Sequence, residues 1–285
     1  MVDESGQVFA RLGDAVRSIG DEQGTITVRP GTYGDCAVQT EGRIHYRAEI
    51  PGTAIFDGGV CEGKAVLVLR GTSARVEGLI FQNLRVADGN GAGIRLERGD
   101  LDVFNAIFRN SQEGILTAAD PDGEIRIDQS TFSGLGRCDA GLACAHSIYA
   151  GYYGGLSIVR SRFEKGRGGH YVKSNTARIS IADSSFDDSG GVDTNYMIDL
   201  SAGATGRIVG NSFVQGVRKE NYSAMIAVAA EARAHPSAGL TITGNEAGLA
   251  PGARPTVFVV NWSGEKIAVA GNRLTGSIQP YEARR

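Results

Sequence analysis

The sequence predicts an all-β fold, a parallel β-helix in which one strand-rich repeat winds into a single-stranded solenoid. Two observations carry that prediction. The first is a recurring pattern: an apolar-x-apolar pair, a small polar residue, one more residue and a Phe. It reads Val76-x-Gly78-Leu79-x-Phe81, Leu101…Ala106-x-Phe108, Ile125…Ser130-x-Phe132, Leu156…Ser161-x-Phe163, Ile179…Ser184-x-Phe186 and Ile208…Asn211-x-Phe213. Degenerate copies follow at Leu240…Asn245 and Ile267…Asn272-x-Leu274. The period is roughly two dozen residues, too short for one unit to bury its own apolar face, so units must stack. Period-2 alternation bounded by Gly, Asn and Asp is strand-and-turn chemistry. The second observation is 41 Gly among 285 residues, about double the ordinary share and suited to many tight turns.

The elements follow in order. Val8, Phe9, Leu12, Val16 and Ile19 fall at helical spacing, and Gly20 and Gly24 end that segment. An open β-helix end exposes core and unpaired strand edges, so residues 1–23 read as its cap. Residues 24–285 read as one β-helix domain of nine or ten coils, opening with the strand and turn Thr25-Ile-Thr-Val-Arg-Pro-Gly-Thr-Tyr33. Ser130, Ser161, Ser184, Asn211, Asn245 and Asn272 share one repeat position and predict an internal hydrogen-bonded ladder. Phe81, Phe108, Phe132, Phe163, Phe186 and Phe213 predict a core stack.

A cap helix followed by this strand resembles the start of the right-handed parallel β-helix superfamily that includes pectate lyases. The resemblance implies right-handed winding and activity on polysaccharides, acidic ones especially, as a lyase, hydrolase or epimerase. The calcium-binding acid cluster of pectate lyases has no counterpart that can be placed here. Only Glu113, Asp199 and the pair Asp187-Asp188 are candidates, and calcium wants several clustered carboxylates. The expectation is a metal-independent site, with calcium not indicated.

Four Cys favour an oxidising compartment, hence a secreted or periplasmic protein. Cys36 and Cys61 lie one coil apart, and coils spaced about 4.8 Å suit a disulfide. Cys138 and Cys144 close a short loop. No C-x-x-C spacing supports zinc. The start, Met1-Val2-Asp3-Glu4, lacks the features of a secretory signal. A net charge of −3 argues against a general nucleic-acid binder, and no apolar run is long enough to span a membrane. The partner expected is an acidic polysaccharide or oligosaccharide, bound by a monomer.

The chemistry-bearing signal lies in the other strand of the repeat. Aligned on Ile94, Ile115, Ile148, Val172, Ile198, Ile226 and Phe258, the next, outward position reads Arg95, Leu116, Tyr149, Lys173, Asp199, Ala227, Val259. Two before the anchor stand Ala92, Glu113, His146, His170, Tyr196, Ala224, Thr256. Titratable residues fill both columns in three consecutive coils. Strand parity would turn the second column inward, so His146 and His170 reach the surface only across a bend. The long Cys138–Cys144 loop forms a wall just before His146, and Arg160, Arg162, Lys165, Arg167, Lys173 and Arg178 concentrate positive charge nearby.

β-Elimination from a uronate needs a cation on the carboxylate, a base for the C5 proton and an acid for the leaving O4. His146, Tyr149, His170, Lys173 and Tyr196 are the catalytic candidates, the histidines as base, the tyrosines as acid and Lys173 as the cation. Arg95, Glu113, Arg162, Arg167 and Asp199 are the substrate-binding candidates. A C5-epimerase would use nearly the same residues. A glycoside hydrolase needs two acids, and Asp199 shows no partner in its own or the adjacent outward column. A non-catalytic glycan-binding β-helix would show aromatic platforms instead.

Overall fold

The computed structural model describes residues 1–139 and 141–284. Three parallel sheets of ten strands each form the faces of a parallel β-helix, every strand pairing with its equivalents one coil before and after. One apolar cluster fills the interior along the whole length. Among the described residues no helix is long and apolar enough to cross a membrane.

The cap helix is shorter than its apolar pattern suggests. It runs Leu12–Ile19, with Leu12, Ala15, Val16 and Ile19 buried. Val8 is exposed and Phe9, only half-buried, packs against the core from outside the helix. The start is set by Asp35, whose Oδ2 accepts the Leu12 N–H at 2.6 Å, a carboxylate at the positive end of the helix. Gly24 does not end the helix but lies in the first strand. A Cβ there would sit 2.7 Å from the Ile19 side chain, so glycine lets helix and strand approach. Val2 bridges antiparallel to Ile26 and covers that strand's outer edge.

Both internal columns form. The N–H of Ser130 donates to Ser161 Oγ, that of Ser161 to Ser184 Oγ, and that of Ser184 to Asn211 Oδ1. The N–H of Asn211 then reaches Asn245, and that of Asn245 reaches Asn272. The phenylalanines stack at 4.8 to 5.0 Å from Phe81 to Phe213. Phe56 and Tyr33 extend the stack into the first coils. Cys36–Cys61 and Cys138–Cys144 are disulfides, with Cα separations of 5.5 and 4.4 Å.

Candidate functional site

The candidate residues lie on the outside of the third sheet, on strands Ile148–Ala150, Val172–Ser174 and Ile198–Leu200. Their central residues Tyr149, Lys173 and Asp199 are successive register partners, with Leu116 before them and Ala227 after. Arg95 stands one coil before Leu116. The last coil corrects the alignment by one residue: Ile226 pairs with Val259, not Phe258, so the column ends in Val260.

The bend that the second column needs is present at the corner before each strand. Tyr171 and Val172 are adjacent, yet both lie in the core, and so do Met197 and Ile198. Two successive inward residues place His170 and Tyr196 outside. The rings then form a column, with His146 stacked on His170 at 5.0 Å and His170 on Tyr196 at 5.5 Å. Tyr196 meets Trp262 at 6.3 Å. Gly169 makes the corner possible. Its φ is +62°, and a Cβ there would lie 2.1 Å from Ala145 O and 2.7 Å from His146 Nδ1. The His170 N–H donates to His146 Nδ1 at 3.0 Å, and the His146 N–H donates to Glu113 Oε1 at 3.1 Å.

Two loops wall the column. Arg137 bridges to Ala145 across the Cys138–Cys144 loop. The Gly169 N–H meets Cys138 Sγ at 3.2 Å, so this disulfide loop lies against the corner that carries His170. On the other side runs the segment 229–238. There Glu231 pairs with Lys173, and His235 Nε2 lies 3.0 Å from Asn175 O. Between these walls Glu113, His146, His170, Lys173 and Asp199 are buried, which corrects the expectation of freely exposed strand positions. Tyr149 and Tyr196 are half-buried.

Burial sets the protonation states. It pushes His146 down to about 3 and His170 well below the usual imidazole range, with Lys173 adding to both, so both rings are neutral. It raises Glu113 to about 8, against the His146 N–H bond that favours the anion. Asp199 rises to about 6, opposed by a 2.6 Å hydrogen bond from Ser201 and by Lys173. His170 Nε2 lies 3.5 Å from Asp199 Oδ2, and Lys173 Nζ lies 4.0 Å from the same oxygen.

Apart from Lys173, the basic stretch does not line the column. Arg160 is paired with Asp128, Arg162 and Lys165 with Glu164, and Arg178 with Glu124. Arg162 belongs to the second sheet, facing away from the column. Arg167 is an exposed corner residue. Asp128 and Glu124 come from other coils, out of reach of sequence spacing, whereas Glu164 stands beside Arg162 and Lys165 in the same coil. Sequence spacing also missed Glu231, Asn175 and Trp262, which lie outside the repeat pattern. Asp188 is no free carboxylate either: it is buried against Lys219 at 3.1 Å.

Of ten buried side-chain polar atoms that no protein group satisfies among the described residues, five lie on this one face. They are Arg95 Nε, Glu113 Oε2, His170 Nδ1, Asn175 Oδ1 and Asp199 Oδ1. Unpaired buried polar atoms are rare and costly, and their concentration singles out this face as the candidate site.

No family model and no curated protein matches the chain. Among solved structures it is similar to a PL6 family alginate lyase, AlyGC, with a TM-score of 0.53 and 14% identity over 88% of this chain. It is also similar to ORF18 of Geobacillus virus E2, with a TM-score of 0.45 and 11% identity over 95% of this chain and 57% of that one. The chain spans 36% of the length of the alginate lyase, and that likeness shows a shared parallel β-helix fold.

Proposed function

We propose that the protein is a polysaccharide lyase that cleaves a uronate-containing chain by β-elimination, without a metal, on the outer face of the third sheet. The observation that carries this reading is the row of unsatisfied polar atoms beside a cation and two neutral imidazoles. Lys173 is the cation for the sugar carboxylate. His146 uses Nδ1 as an acceptor, so its neutral ring presents Nε2–H as a donor to the same carboxylate. His170 is the base. Among the described residues its Nδ1 makes no full hydrogen bond, the Tyr196 backbone holds the ring, and Asp199 faces its Nε2 and stabilises the imidazolium formed on proton abstraction. The Tyr149 hydroxyl, which accepts from Asn175 Nδ2 at 3.4 Å, returns a proton to the leaving O4. Tyr196 stacks under His170 and fixes its plane. Arg95, upstream and ion-paired with Glu97 at 3.6 Å, is the candidate contact for a neighbouring sugar, whereas the buried Glu113 supports His146. The two disulfides and the alginate lyase's fold fit an extracellular protein.

One observation favours a second reading. Asp199 and Glu231 both contact Lys173, so Asp199 has the carboxylate partner that its own column lacks. Two acids could serve a glycoside hydrolase. Incubation with a panel of acidic polysaccharides separates the readings. Ultraviolet absorbance from an unsaturated uronate supports the lyase. New reducing ends without it support the hydrolase, and C5 inversion without cleavage an epimerase. Saturable binding with no product leaves a glycan-binding module and sinks the lyase.

A further inference from the structure

Lys173 holds two carboxylates of different character. Asp199 is fixed: it is buried and takes a hydrogen bond from Ser201 at 2.6 Å. Glu231 is not, since its side chain is 55% exposed and Lys173 is its carboxylate's only partner among the described residues. The loop beneath it is held by backbone bonds. The Glu231 and Ala232 N–H groups donate to Ser201 O, and the His235 N–H donates to Ala202 O. The Glu231 carboxylate can therefore swing away while its loop stays in place.

Resting on the lyase reading, we infer that Glu231 occupies on Lys173 the position that a sugar carboxylate takes, and that it is displaced when a uronate binds. The charge count requires the exchange. The two imidazoles are neutral, so one ammonium already faces two carboxylates. A third anion added beside them is repelled, whereas one exchanged for Glu231 leaves the count unchanged. Glu231 is the exposed partner and leaves into water, while the incoming carboxylate keeps the buried Lys173 paired, so the exchange costs little. Glu231 thereby selects for ligands whose carboxylate competes for Lys173, and against neutral sugars.

The test uses the full chain and Glu231→Gln. Acetate and glucuronate are titrated while the Lys173 ε-methylene resonance is followed by NMR. Affinity should rise about fivefold in the variant, the scale of one lost exposed ion pair. In turnover of oligouronates, kcat/KM should rise similarly through a lower KM. Unchanged carboxylate affinity overturns the inference. So does a fall in kcat of about a hundredfold or more, which would make Glu231 a general acid or base and favour the two-acid hydrolase. If the wild type cleaves no uronate polymer but the variant still gains carboxylate affinity, the exchange stands and the lyase reading falls.

Discussion

The His170 backbone N–H donates to Nδ1 of His146 at 3.0 Å, so the neutral His146 ring carries its proton on Nε2. A pair of stacked imidazoles is thereby differentiated: one is held as an Nε2 donor, and the other makes no full hydrogen bond at Nδ1 among the described residues. Which histidine is which could not be read from their equivalent sequence positions.

That relationship makes two His146 variants behave differently. Asn places a carbonyl oxygen near the position of Nδ1 and keeps the acceptor for the His170 N–H, while removing the Nε2 donor. His146→Asn should cut turnover by about two to three orders of magnitude and leave thermal stability near wild type. His146→Ala should lose comparable activity and also about 1–3 kcal/mol of stability, because a buried N–H is left unpaired. Urea unfolding alongside initial rates checks both. Equal stability of the two variants would refute the hydrogen-bond assignment.

Glu113 gives a pH prediction with a definite sign. Its folded pKa, about 8, is raised from 4.5 by burial. The folded state thus holds a proton that the unfolded state releases, and the associated stability is lost as pH rises from about 4.5 through 8. Glu113→Gln does not titrate and keeps a carbonyl for the His146 N–H. The variant should gain on the wild type as pH rises, at up to ~1.4 kcal/mol per pH unit in that window. Melting temperatures of both proteins at pH 5 and pH 8 decide it. Comparing the two at each pH cancels the titration of His146 and His170. A constant difference would show that Glu113 is ionised throughout.

Most of the fold was legible because the repeat is written in side chains that face the interior. Ser130, Ser161 and Asn211 recur every coil since each must accept the N–H of its equivalent one coil before. Phe108 to Phe213 recur since each ring rests on the next. The outward column was legible for the same reason, and its register failed only at Phe258, where Val259 and Val260 are equally apolar. Charge was not legible. Arg160 and Arg178 looked like part of a groove because the neutralising Asp128 and Glu124 lie 32 and 54 residues away in sequence. Burial of His170 and Lys173 was hidden too, since it comes from the Cys138–Cys144 loop and the segment around Glu231, which carry no repeat.

The two disulfides should differ in what they protect. Cys36–Cys61 closes 25 residues and Cys138–Cys144 only 6. On chain entropy the first contributes about 3–4 kcal/mol and the second about 2. The Cys138/Cys144 double Ser variant should melt only slightly lower yet lose turnover, because its loop lies against the Gly169 corner. The Cys36/Cys61 double Ser variant should lose more stability and retain activity per folded molecule. The opposite pattern would remove the disulfide loop from the site.

Lys219 and Asp188 form a buried ion pair at 3.1 Å, with both side chains fully inaccessible. The pair is well satisfied. Asp188 accepts from Tyr171 Oη and Thr194 Oγ1 at 2.8 Å, and Lys219 also donates to Thr194 Oγ1 at 3.1 Å and to Asn195 O at 2.5 Å. Tyr171 adjoins His170 and Asn195 adjoins Tyr196, so this network holds the corners that carry two rings of the column. Lys219→Met strands a buried carboxylate and should cost about 3–5 kcal/mol. Adding Asp188→Asn removes that charge and should restore much of the loss. Both variants should lower kcat more than they raise KM, since the corners shift His170 while Lys173 stays on its strand. Additive losses in a double-mutant cycle would show that the two residues do not act as a pair. Unchanged kcat per folded molecule would show that the column does not depend on them.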